Sequence, residues 1–122
     1  MSTDLIDEDA LKRLLALIGD DPDDLDELID DYLEAAPKLA RTILGTSESR
    51  DIDAMRIAAH TLKSNARDLG AIRVAERASA VESACKDGDI EAAIAVAADI
   101  EAEAAAANEM LSRLKAEVFG RA

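Results

Sequence analysis

Residues 51–70 read DIDAMRIAAHTLKSNARDLG, a helix written out from its cap to its stop. Asp51 is a residue type that accepts hydrogen bonds from the first unpaired amides of a helix. Gly70 takes the left-handed backbone that commonly ends one. Between them, Met55, Ala58, Leu62, Ala66 and Leu69 recur at intervals of three and four, so they share one inward face. At about 100° per residue, His60 lies roughly 160° from Leu62 and points outward. Arg56, Ile57, Lys63, Ser64 and Arg67 all fall within about 60° of it. The only histidine of the chain therefore stands in a locally basic stripe.

The helical period continues on both sides, and no segment shows the sustained alternation of a strand. Upstream, Leu11, Leu14, Leu15 and Ile18 mark a short helix that Gly19 ends, and Asp21-Pro22 reads as the cap and first position of a second. That second helix carries an apolar stripe from Leu25 to Leu44. Pro37 is predicted to kink it without ending it, and Gly45 with the polar TSESR run is predicted to be a loop. Downstream, the spacing predicts a helix over 72–86 with Val74, Ala78, Val81 and Cys85 inward, then a turn at Asp87-Gly88-Asp89. A final helix is predicted from Ile90 to about Phe119. All connections are short, which makes consecutive helices antiparallel neighbours. The expected fold is all-α: an antiparallel up-and-down four-helix bundle with a short additional N-terminal helix, residues 1–122 forming a single domain.

Composition narrows the function classes. A net charge of −13 argues against nucleic acid as a partner, because phosphate backbones are bound by broad surfaces of Lys and Arg. The Ala-rich stretch 90–107 contains too many acids for a membrane span, and no basic, apolar leader is apparent at the N-terminus, so a cytoplasmic protein is expected. A single cysteine, Cys85, cannot form an intramolecular disulfide or a zinc cluster and reads as a small core residue. The acid-rich DDPDDLDELIDD run at 20–31 lacks the glycine and ligand spacing of a calcium loop. Nor is there a glycine-rich nucleotide loop, so self-phosphorylation from ATP is not expected.

An exposed imidazole ordinarily has a pKa near 6.5, is largely neutral at pH 7, and offers a free ring nitrogen as a nucleophile. Neighbouring cations attract an added phosphoryl group, whose charge is about −1.5 to −2. Residue types alone leave two readings open: a phosphate-accepting histidine, or a solvated one whose neighbours Lys63 and Arg67 merely pair with acids such as Glu76 or Asp68.

The run His60-Thr61-Leu62-Lys63-Ser64-Asn65-Ala66-Arg67-Asp68-Leu69-Gly70-Ala71 closely resembles the signature of histidine phosphotransfer domains. His60, Leu62, Lys63, Leu69 and Gly70 match its pattern. LIDDYLEAAPKL at 28–39, Val81-Glu82 and Gly88-Asp89 resemble further landmarks of that family. The resemblance implies that His60 is the phosphoacceptor through Nε2 and that Lys63 supports the phosphate electrostatically. Ser64 stands where the family usually has glycine, a small residue that lets the phosphodonor approach. Arg56 and Arg67 are assigned to phosphate binding from the helical wheel. Ile57 belongs either to an apolar patch on which a receiver docks or to packing against a neighbouring helix. The partners implied are response-regulator receiver domains and a sensor histidine kinase. Mg²⁺ is expected on the receiver, with no cofactor or metal on this chain, which is expected to be a monomeric phosphocarrier rather than an enzyme. The rival expectation is a docking module that binds a kinase or receiver without transfer.

Overall fold

The structure, a computed structural model, describes residues 5–117. Its helices are α1 (Glu8–Leu17), α2 (Pro22–Ser49), α3 (Ile52–Asp68), α4 (Ile72–Lys86), α5 (Ile90–Ala97) and α6 (Ile100–Glu117). The described residues contain no strand. α3 packs between α2 and α4, α4 packs against α5 and α6, and α6 returns to α2, which closes a four-legged ring. In that ring α5 and α6 together form the fourth leg, while α1 lies against α2 and α3. This is the expected antiparallel bundle with a short N-terminal helix. No described helix is long and apolar enough to cross a membrane.

Local chemistry sets most of the boundaries. The Asp21 carboxylate accepts a hydrogen bond from the Asp23 amide at 2.9 Å, Asp51 from Ala54 at 3.1 Å and Asp89 from Ala92 at 3.0 Å. Each cap satisfies an amide that the first helical turn would otherwise leave unpaired. Gly70 has φ +75°, and a Cβ there would lie 2.6 Å from the Asp7 carbonyl oxygen. Only glycine fits both demands. The Asp7 amide also donates to the Gly70 carbonyl at 2.7 Å, so this turn docks the N-terminal segment onto the end of α3.

The core is built from small and aliphatic side chains. Ala36, Ala40, Ala58, Ala59, Ala66, Ala78, Ala93, Ala97, Ala104 and Ala107 are buried beside Leu25, Ile29, Ile43, Met55, Leu62, Val74, Val81, Ile100 and Leu111. Alanine at so many contacts lets helix axes approach closely, since interaxial distance follows side-chain size. Met55, Ala58, Leu62, Ala66 and Leu69 are all buried, as the stripe on α3 requires.

Two elements differ from the sequence expectation. The first is the predicted loop at Gly45 and TSESR, which is helical as far as Ser49, with Arg50 taking the left-handed terminating conformation at φ +58°. Here the hydroxyls bond back to their own helix instead of competing with it: Thr46 donates to the Thr42 carbonyl at 2.8 Å and Ser49 to the Thr46 carbonyl at 3.3 Å. The second is the last helix, which breaks at Ala98-Asp99 although its apolar stripe continues through Ala97, Ile100 and Ala104. The proposed end at Phe119 lies outside the described residues. Pro37, as expected, does not end α2, which continues through it to Ser49. Proline has no N–H for the Leu33 carbonyl one turn back, and Asn108 on α6 supplies the missing donor through its side-chain amide at 3.0 Å.

Candidate functional site

Antiparallel pairing of α3 with α4 sets His60 opposite Glu82. Glu82 shares the inward register of Ala78 and Cys85, and it is the one charged side chain buried among the described residues. A buried carboxylate is costly unless it is paired. His60 Nδ1 lies 2.8 Å from Glu82 Oε2, Lys63 Nζ lies 2.5 Å from Oε1, and Lys86 Nζ lies 3.4 Å from Oε2.

These partners hold the Glu82 carboxyl well below the ordinary range, at about 2. The hydrogen bond from Lys63 is the largest cause; burial opposes it, and the bond from His60 and the charges of Lys63 and Lys86 add to the lowering. At neutral pH Glu82 is therefore an acceptor only. The proton in its bond to His60 belongs to the ring, on Nδ1. That tautomer, assigned from the acceptor it faces, puts the unshared pair on Nε2, which has no hydrogen-bond partner among the described residues. The imidazole itself is 58% exposed. A buried carboxylate thus fixes a surface imidazole with its nucleophilic nitrogen free.

The sequence-predicted residues divide around this cluster. Lys63 belongs to it, but its partner is Glu82 and neither Glu76 nor Asp68. Ser64 and Arg67 are exposed on the same side of α3. Arg67 lines a shallow groove with Ile72, Ala75, Glu76 and Ser79 between α3 and α4. Arg56 is half-buried, and its charge acts on the Cys85 thiol, which burial pushes up. Ile57 is 58% exposed, so packing against a neighbouring helix does not occupy it. Among the described residues no group of three or more His, Cys, Asp and Glu is placed to hold a metal ion.

Glu82 and Lys86 are the members that sequence reasoning missed as site residues. Their signal was present: an acid at an inward register of an otherwise apolar stripe needs a partner, and Lys86 follows it by one helical turn.

The family model for the Hpt domain matches residues 8–117. The chain belongs to the Hpt domain family. Hpt domains are histidine phosphotransfer modules of phosphorelays, phosphocarriers rather than kinases, and they work with kinases and response regulators. Among solved structures, this Hpt domain is similar to histidine-containing phosphotransfer protein B (HptB) from Pseudomonas aeruginosa PAO1, with a TM-score of 0.81 and 21% identity. The match covers 91% of this chain and 94% of that one, a likeness of fold. No curated protein matches the sequence significantly.

Proposed function

We propose that this Hpt domain accepts a phosphoryl group on His60 Nε2 from a receiver aspartyl phosphate or a sensor histidine kinase, and passes it reversibly to another receiver aspartate. The observation that carries the reading is the Nδ1 bond to buried Glu82, which leaves Nε2 as the free nucleophile. In the transfer, the Nε2 lone pair forms the N–P bond as the acyl O–P bond of the donor breaks, and the donor carboxylate departs with that electron pair. No proton needs to move. The ring becomes positively charged while it keeps its Nδ1 proton, and the Glu82 carboxylate faces the growing charge. Lys63 neutralises charge on the incoming group, and Ser64 leaves space beside the ring. Positioning and charge stabilisation are the main demands of phosphoryl transfer.

Mg²⁺ is assigned to the receiver, and no cofactor or metal to this chain. Exposed Ile57 and Arg67 supply an apolar and a basic contact for the receiver, and Arg56 adds to the basic field behind it. The unpaired Cys85 suits a reducing compartment, the cytoplasm, where the protein is taken to work as a monomer.

The test is transfer of labelled phosphate from a panel of phosphorylated receivers and kinases to the protein and to His60→Gln. An acid-labile, base-stable label present only on the unmutated protein is the expected result. Binding of a receiver with no label from any donor would instead make the chain a docking module.

A further inference from the structure

Glu82 is contacted by two lysines that are held very differently. Lys63 comes from α3, is 18% exposed, and rests on Oε1 at 2.5 Å. Lys86 comes from the last turn of α4, is 60% exposed, and stands 3.4 Å from Oε2, the oxygen that also accepts from His60 Nδ1. The first contact is short and enclosed. The second is longer than a good N–H···O bond and open to water, so it costs little to release.

We propose that Lys86 is a second phosphoryl-binding cation, which leaves Glu82 when His60 is phosphorylated and contacts the phosphoryl oxygens. The inference rests on the proposed transfer to Nε2 and adds a residue that no reading of α3 alone supplies. One carboxylate shares a single negative charge among three donors. An added phosphoryl group brings about −1.5 to −2 charges and three acceptor oxygens to the same ring. Because Lys86 and the ring share one Glu82 oxygen, the ammonium already lies beside the imidazole. Its flexible, mostly exposed four-carbon stem leaves the ammonium free to swing from Glu82 towards the phosphoryl group in the proposed state. Glu82 still accepts from the His60 Nδ1–H and from Lys63, so release of Lys86 does not leave a buried charge unpaired. Arg56 and Arg67 make no contact with Glu82, which makes Lys86 the better-placed cation although it lies on another helix.

The experiment uses the full chain, a receiver phosphorylated by a small-molecule phosphodonor, and the variants Lys86→Gln and Lys86→Arg. Transfer to His60 is expected to slow about three- to tenfold in Lys86→Gln, and Lys86→Arg to recover to within about twofold, as expected for one partly exposed charge-assisted contact. A ³¹P titration of the phosphohistidine supplies a readout that a merely structural lysine would not move. Loss of a cation at the phosphoryl group raises its titration midpoint in Lys86→Gln, and Lys86→Arg restores it. Equal transfer rates and equal midpoints in wild type and Lys86→Gln, with both labelled on His60, would overturn the proposal and leave the phosphotransfer reading intact. If wild type takes no label on His60, the parent reading fails and this inference falls with it.

Discussion

Helix α4 carries two ion-paired clusters, five residues apart, that differ in what they leave over. At Arg77 the matching is closed. Nε and Nη2 donate to the two carboxylate oxygens of Glu103 at 2.7 and 3.0 Å, and Nη1 donates to the Val96 carbonyl at 3.4 Å. The fork fits its carboxylate bidentately, and the bond to Glu103 is the main cause of a raised guanidinium pKa. One side chain thereby bridges the end of α5 and the first turn of α6, strapping α4 across the break at Ala98-Asp99. At Glu82 the matching is open: one carboxylate serves His60, Lys63 and Lys86, and the ring it holds keeps an unpaired nitrogen. The first cluster is a strut, and the second is a strut that also presents a reactive atom. Ion pairing alone does not separate them; the unused valence does.

The comparison breaks most sharply at the ring. His60→Gln is expected to abolish labelling with phosphate from every donor, while thermal unfolding stays within about 1 kcal/mol of wild type, since an exposed side chain contributes little to the core. Substantial unfolding of that variant would make His60 a structural residue. Next, Glu82→Ala is expected to slow transfer between about tenfold and a hundredfold, the range for loss of a hydrogen bond to a charged group. It also leaves Lys63 without its partner, so the urea midpoint should fall.

Arg77→Met gives the converse: stability falls by about 1 kcal/mol, the scale of a partly exposed ion pair with good geometry, and the transfer rate is unchanged. A transfer defect there equal to that of Glu82→Ala would erase the distinction between the clusters. The smallest effect is on acid stability. Glu82 has a folded-state pKa lowered from 4.5 to about 2, so its contribution is fully present above the ordinary carboxylate range and is lost as pH falls through the interval between those values. The stability gap between wild type and Glu82→Ala, read from urea midpoints, should therefore be constant above about pH 5 and narrow towards pH 2. A gap independent of pH across that range would remove the carboxylate's charge from the account.

Much of the bundle is legible in the sequence because local chemistry decides it. Asp21, Asp51 and Asp89 cap where short polar acceptors precede apolar stripes, and Gly70 and Gly88 turn with positive φ where the periodicity stops. What was not legible depends on partners distant in sequence or on the choice a hydroxyl makes. Thr46 and Ser49 lie in a run with the composition of a loop, yet their hydroxyls bond to the carbonyls about one turn back. The break at Ala98-Asp99 contains neither glycine nor proline, and the contact that spans it comes from Arg77 on another helix. The site divides in the same way. The wheel of α3 places His60 and Lys63 on one outward basic stripe and the family resemblance singles them out, whereas Glu82 and Lys86 join only once the register of α4 against α3 is known.

The central claim, that Glu82 fixes the tautomer of His60 and frees Nε2, is tested most directly by long-range ¹H–¹⁵N correlation of the imidazole at pH 9, where imidazoles are neutral. The chain's single histidine gives one unambiguous pair of ring nitrogens. The account predicts a protonated Nδ1 and an unprotonated Nε2 in wild type, with the two averaging in Glu82→Ala. A wild-type ring protonated on Nε2 would contradict it.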